Sequence, residues 1–352
     1  MKLKFTLLVT MIFGLMSLTI NSAMAQDDIA QPETVSGPKL KIVSGFKGGS
    51  YYQMAKDMQK MTRSLGEAQY TEQTVTDSVI DPETNEKIAQ DKTIKVPTGD
   101  TIEFLEVRES DGSYYNFLKI DKSDVDLTFL QYDVLLMEDE KDLQRKLKKV
   151  ADIRILLPFG AEQIHLITTK NGKIKSFDDL KNKRVGIGSK LQGTNVTALY
   201  IKEQTKMKWE DVEIPYDKAF RALFNGDIDA FFFVGKAPVS DLANLSKTMK
   251  DKITLISLPV NEKLKDAYGE QIDITMDQYK WLEANVKTYQ VKTVLVTSIR
   301  DQDPAKVEAI KELLRAIKEN KDKAGFHPGW ANVVFEEDPA IEFQYHPMMK
   351  EI

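Results

Sequence analysis

The chain has 352 residues, 54 acidic against 49 basic side chains, and no cysteine. The net charge of −5 argues against a nucleic-acid partner, which asks for a basic face. Without cysteine there is no disulfide framework and no lipid-attachment site, so a chain of this length must hold itself together by its hydrophobic cores; two lobes are the expectation.

Lys2 and Lys4 precede an uncharged apolar run over 5–20, and Ala23-Met24-Ala25 is a small-x-small cleavage site followed by Gln26-Asp27-Asp28. This reads as a secretory signal peptide over 1–25, with an apolar run short for a membrane span. Its removal takes away two lysines and no acid, which leaves −7. No later stretch is long and apolar enough to cross a membrane. A soluble, exported, periplasmic protein is expected.

Leu40, Ile42 and Val43 form a short β run, Gly45, Gly48 and Gly49 a loop, and Tyr51, Met54, Met58 and Met61 a helical stripe, with Ser50 at the N-cap position. Backbone N–H groups at a helix N-terminus, beside glycines that admit close approach, suit an anionic or polar ligand group. The spacing is neither G-x-G-x-x-G nor a phosphate loop, so a nucleotide is not indicated. An ordinary βα turn uses glycine in the same way.

The polar stretch 67–100 reads as a hairpin or surface excursion, with alternation at Thr74–Thr76, a turn at Asp81-Pro82 and a β-like run over 93–96. Residues 101–107 read as a strand, and a helix starts at Ser113 with Tyr114, Phe117 and Leu118 turned inward. Residues 126–130 read as a buried strand with Gln131, Tyr132 and Asp133 just past its end. Strands follow at 164–168, 184–187, 228–234, 253–260 and 289–298. Between them lie a short helix at 175–180 capped by Ser176, a glycine-bearing loop at 188–195, and helices over 196–204 and 216–225, the latter closed by Gly226. Gly235 and Pro238 break the chain, and a long helix runs over 304–320.

This alternation predicts an α/β fold with mainly parallel sheets. The unit of strand, Gly/Ser loop and helix near residue 45 recurs near Arg184, which predicts two similar lobes. Ligands of such sheets sit beyond the carboxyl ends of the strands. The loops 44–51, 110–116, 131–133, 188–195 and 234–238 therefore converge on a cleft between the lobes.

The three histidines, His165, His327 and His346, show no metal-ligand spacing. His165 sits in an apolar strand, where a satisfied core histidine is the ordinary case. There is no Gly-x-Ser-x-Gly, and Ser50 has no evident base, so no catalytic residue, metal or cofactor is expected. Phe231, Phe232 and Phe233 read as buried strand. Candidate solute contacts are Ser50 with its neighbour Gly49, Ser113, Asn116, Gln131, Thr194 and Asn195, with Tyr51 as a wall. Lys47 and Arg108 are the nearest cations, and either also fits a surface position. Such a cleft binds and releases a small polar or anionic solute without changing it.

At these residues the chain resembles the solute-binding subunit of tripartite ATP-independent periplasmic (TRAP) transporters, in its TAXI family. The matching pieces are Gly48-Gly49-Ser50-Tyr51-Tyr52, Gly112-Ser113 with Asn116, Asp124-Val125-Asp126-Leu127 with Gln131 and Asp133, and the run 174–188. Others are Gly193-Thr194, Gly226-Asp227-Ile228-Asp229-Ala230-Phe231-Phe232 with Gly235 and Pro238, and Tyr345-His346-Pro347. The resemblance spans nearly all of the chain after the signal peptide. It implies a type II periplasmic binding protein whose two lobes close over an amino acid such as glutamate or an organic acid; typical lobe sizes put the lobes at 38–158 plus 288–352 and at 159–287, with a hinge at the crossovers. It also implies TRAP membrane subunits as partners, and the receptor itself is expected to be a monomer. Contacts carried over by position fall at Ser50, Tyr51, Ser113, Asn116 and Gln131, and in the second lobe at Thr194, Asn195 and Gly235. The loop Phe46-Lys47, the long 67–100 stretch and Lys190-Leu191-Gln192 depart from the family's pattern. The binding protein of an ABC importer for sulfonates, nitrate-like ions or pyrimidine precursors is the alternative reading.

Overall fold

The structure, a computed structural model, describes residues 38–80, 87–300 and 302–352. The signal peptide read over 1–25 and the Asp81-Pro82 turn lie outside the described residues.

In chain order the elements are β1 (Leu40–Val43), α1 (Ser50–Met61), β2 (Glu67–Ile80), β3 (Lys87–Ile102), β4 (Leu105–Arg108), α2 (Ser113–Asp121), β5 (Leu127–Gln131), α3 (Tyr132–Arg145) and the long β6 (Ile153–Thr169). Then come β7 (Arg184–Gly186), α4 (Gly193–Thr205), β8 (Glu210–Val212), α5 (Tyr216–Asn225), β9 (Ala230–Gly235), α6 (Ser240–Ala243), α7 (Lys247–Lys250), β10 (Ile253–Leu255) and α8 (Glu262–Tyr268). The chain ends with β11 (Ile272–Ile274), β12 (Val286–Thr288), β13 (Gln290–Ser298) and α9 (Pro304–Asn320), followed by short 3-10 turns.

A nine-stranded sheet follows the path β4-β1-β5-β13-β6-β9-β7-β8, with β10 on the side of β6. Its two halves repeat one order. In the first, β4, β1 and β5 are parallel neighbours and β13 adds antiparallel to β5. In the second, β8, β7 and β9 are parallel neighbours and β6 adds antiparallel to β9. Strand β6 serves both halves, because residues 153–163 pair with β13 and residues 163–168 pair with β9. This is the two-lobed α/β architecture expected of a type II binding protein, with β6 and β13 as the crossing strands.

Each half has a core on both faces. Met54 and Met58 of α1 pack with Leu313 and Leu314 of α9 and with Trp330 on one side of the first half. Phe117 of α2 and Val134 and Leu135 of α3 pack on the other. In the second half, Leu166 and Phe232 belong to one cluster and their chain neighbours Ile167 and Phe231 to the other. Successive strand residues point to opposite faces, so a strand covered on both sides must be apolar at consecutive positions. That accounts for the Phe231-Phe232 run.

The helices end where local chemistry ends them. Asp303 caps α9 by accepting from the Lys306 N–H at 2.8 Å, with Pro304 at the first helical position. Helix α5 stops at Gly226, which takes the left-handed conformation at φ +77°.

Some boundaries differ from the sequence reading. Ser50 is the first residue of α1, and Gly49 stands at its cap without a side-chain bond. The strand read over 101–107 is two elements, since Ile102 closes β3 and Leu105 opens β4. The strand read at 164–168 begins eleven residues earlier, at Ile153. Pro158 and Gly160 lie inside it, and Pro158 sits beside a register irregularity with β13, where the ladder tolerates a missing N–H. The strand read over 253–260 ends at Leu255.

Strands β2 and β3 pair only with each other, from Glu67 against Ile102 to Ile80 against Lys87. The excursion read over 67–100 is therefore a long antiparallel ribbon, and none of its described residues enters a core cluster.

Candidate solute cleft

The carboxyl ends of β1, β4 and β5 are tied together by the residues that follow them. Ser110 N donates to Gly45 O at 3.1 Å. Asn116, fully buried on α2, donates its amide hydrogens to Ser44 O at 2.7 Å and Phe129 O at 2.9 Å. Ser113 Oγ, at the start of α2, accepts from Gln131 N at 2.7 Å. Gly112 makes that approach possible with φ +140°, a conformation that favours glycine. Ser113 and Asn116 thus fix the loop geometry of the first lobe.

Gln131 and Tyr51 turn toward a group that the sequence reading did not select, Glu162 of β6. Gln131 Nε2 donates to Glu162 Oε2 at 2.9 Å, and Tyr51 Oη donates to the same oxygen at 3.2 Å. Tyr51 is held by stacking on Phe129, with ring centroids 5.2 Å apart. Burial dominates the Glu162 carboxyl and pushes its pKa up to about 7, against the two hydrogen bonds; nearby Asp133 adds to the rise.

Asp133 joins the lobes. It is buried at the start of α3, and its Oδ2 accepts from Thr197 Oγ1 of α4 at 2.6 Å and Tyr268 Oη of α8 at 3.0 Å. Burial raises its pKa to about 6, opposed by those two bonds. The starts of α2 and α4 also meet directly. Tyr115 N donates to Leu191 O at 3.0 Å. A Cβ on Gly193 would lie 1.7 Å from Gln131 Oε1 and 3.0 Å from Ser113 Cβ, so only glycine lets the lobes approach this closely.

In the second lobe, Thr194 Oγ1 accepts from Val234 N at 3.2 Å, which ties α4 to the end of β9. Ala237 N donates to Gln163 Oε1 at 2.7 Å and ties the following loop to β6. All five loops expected to converge are thereby linked to one another or to β6. Thr194 also lines a cavity of about 20 Å³ with Gln192, Tyr216, Phe231 and Phe233, about the volume of one water. Asn195 is buried on the first turn of α4. Gly235 pairs with Gln163 and packs against the Phe233 ring.

The candidate cations stand apart from this cluster. Lys47 is 74% exposed and pairs with Glu109 at 3.1 Å, and Arg108 pairs with Glu106 at 2.6 Å. Ser50 begins α1, half-buried. His165 is a core residue, with Nε2 2.9 Å from Tyr279 Oη and Nδ1 3.0 Å from Gln163 O. Burial lowers its pKa to about 4, so it is neutral near pH 7.

The structure therefore brings Tyr51, Ser113 and Gln131 together and adds Glu162, Asp133, Thr197 and Tyr268. Glu162 had one legible mark, as the only acid in the apolar stretch 153–169. Tyr268 had none, since helix α8 reaches Asp133 from 135 residues away. Among the described residues, no group of three or more His, Cys, Asp or Glu could hold a metal ion. No helix among them is long and apolar enough to cross a membrane.

The chain is similar to several solved structures. An arginine transport-system periplasmic binding protein from Legionella pneumophila shares 15% identity over 81% of this chain and 95% of its own, with a TM-score of 0.41. A putative L-cystine ABC transporter protein from Listeria monocytogenes shares 12% over 80% and 91%, with a TM-score of 0.43. A TctC solute-binding protein from Polaromonas shares 11% over 84% and 87%, with a TM-score of 0.43. The family comparison reaches further, because the sequence profile of one family matches residues 42–348, nearly the whole described chain. The protein belongs to the NMT1-like family.

Proposed function

We propose that this protein is a periplasmic solute receptor that closes two lobes over a small polar solute, an amino acid or organic acid, and delivers it to the membrane subunits of a TRAP transporter. The observation that carries the reading is the meeting of α2 and α4 across the cleft, with buried neutral hydrogen-bonding groups and Asp133 between the lobes. A receptor of this kind binds by closure, and closure needs contacts that form only when the lobes meet. The lobes would be 38–158 plus 288–352 and 159–287, hinged on β6 and the chain entering β13. The receptor would act as a monomer exported by a cleaved 1–25 signal peptide.

The test is a thermal-shift screen of mature protein, refolded to strip copurified ligand, against amino acids, dicarboxylates, 2-oxo acids and sulfonates. A ligand that binds only the folded state raises the melting temperature. A shift with an amino acid or organic acid supports the reading, and a shift with sulfonates alone moves it to the ABC class. Uptake by cells carrying the neighbouring membrane genes then separates ion-gradient from ATP coupling.

A further inference from the structure

The polar groups around Glu162 and Asp133 are unbalanced in one direction. Gln131 is 5% exposed and its Oε1 has no hydrogen-bond partner, while Asp133 is 1% exposed and its Oδ1 has none either. Both atoms are acceptors, and they belong to the same cluster as the Glu162 carboxylate, to which Gln131 Nε2 already donates. The side-chain donors of this cluster are spent inside it: Tyr51 and Gln131 on Glu162, Thr197 and Tyr268 on Asp133, whose carboxyl also meets the backbone N–H groups at the start of α3.

No cation among the described residues offsets these acids. The charged and polar side chains acting on Glu162 are Gln131, Tyr51 and Asp133; those on Asp133 are Thr197 and Tyr268, with backbone N–H groups. The lysines and arginine of the cleft loops sit at the surface: Lys47 on Glu109, Arg108 on Glu106, Lys190 on Glu213, and Lys236 exposed. A carboxylate of the solute placed beside Glu162 and Asp133 would meet like charge in a desolvated site, which disfavours it. A protonated amine brings up to three N–H donors and one positive charge, which matches three acceptors and an excess of negative charge.

We infer that the solute carries a protonated amine, seated against Glu162, Gln131 Oε1 and Asp133 Oδ1. This rests on the receptor reading and narrows its solute class from small polar or anionic compounds to amine-bearing ones, amino acids included and plain organic acids excluded. Glu162 is then a specificity-determining residue, and Gln131 both holds it and accepts from the amine.

The test is isothermal titration of mature protein with α-amino acids and with the 2-hydroxy and 2-oxo acids of the same side chains. Wild type is compared with Glu162→Gln, which keeps an acceptor oxygen for Tyr51 and removes the charge, and with the surface control Glu283→Gln. The expected result is binding of amino acids only, a loss of tenfold or more in Glu162→Gln, and none in the control. Affinity in wild type should also rise between pH 5.5 and 7.5, as the carboxyl becomes available to the amine, and this rise should vanish in Glu162→Gln. Equal binding of the des-amino acids with no effect of Glu162→Gln would overturn the inference and leave the receptor reading standing. Binding of neither class, or of sulfonates alone, would overturn both.

Discussion

Gln131 Nε2 lies 2.9 Å from Glu162 Oε2, and the other end of the same amide faces Gly193 across the cleft. One side chain therefore positions an acid of the crossing strand and sets how closely α4 can approach the first lobe.

Gly193→Ala tests that second role. The added methyl would collide with Gln131 Oε1 and press on Ser113 Cβ. Gln131 can retreat only by giving up Glu162, and Ser113 is tied to Gln131 N. The variant should fold, because Gly193 lies outside every core cluster. It should bind ligand at least tenfold more weakly and scatter X-rays with a larger radius of gyration in the presence of ligand. Unchanged affinity would show that the cleft does not close on this contact.

Thr197→Val tests the junction between the lobes. It removes the 2.6 Å bond to Asp133 Oδ2 and leaves that buried carboxyl with Tyr268. Loss of one partner of a buried polar group costs about 1–3 kcal/mol. The expected readout is a lower melting temperature together with a shift of the unliganded protein toward open forms in small-angle scattering.

The pH dependence of stability follows from three groups, Asp133 and His165 buried and Glu162 half-buried. Glu162 and Asp133 are held at about 7 and about 6, above ordinary carboxyls. The folded chain thus binds more protons than the unfolded chain once pH exceeds about 4. Their contribution is complete below that pH and is lost as pH rises through 6 and 7. His165, lowered to about 4, has the opposite sign: its destabilising effect fades as pH rises from 4 toward 6.5. Above pH 6.5 the His165 change is finished and that of Glu162 is not. The melting temperature of the unliganded protein should therefore fall between pH 6.5 and 7.5, and Glu162→Gln should flatten that interval. A flat wild-type curve there would place the Glu162 carboxyl in water.

The β2–β3 ribbon should be dispensable for folding. Replacing residues 69–100 by a short glycine-containing turn removes no described core residue. A ribbon that pairs only with itself and reaches no core cluster adds little to the stability of the rest. The shortened protein should melt within about 2 °C of the parent and bind the same ligand. If transport in cells fails while binding persists, the ribbon contacts the membrane subunits.

The sequence by itself determined the α/β class, most of the elements and which loops meet. These rest on local signals: the unbroken apolar run of β9, the stripe of α1, the glycine after α5, and the rule that strand ends gather ligand loops. Ser113, Gln131 and Tyr51 were legible for the same reason, because each stands at a strand end or on the first turn of a helix. Only the tertiary structure decided what they face. Glu162 lies inside a strand that the sequence reading began too late, and Thr197 and Tyr268 reach Asp133 from 64 and 135 residues away. Position in a loop is set by nearby chain, whereas the charge of a cleft is the sum of side chains brought together by two lobes, and a local pattern carries no record of that sum. Lys47 and Arg108 show the converse, since cations adjacent in sequence to the loops are drawn off to surface acids by the fold.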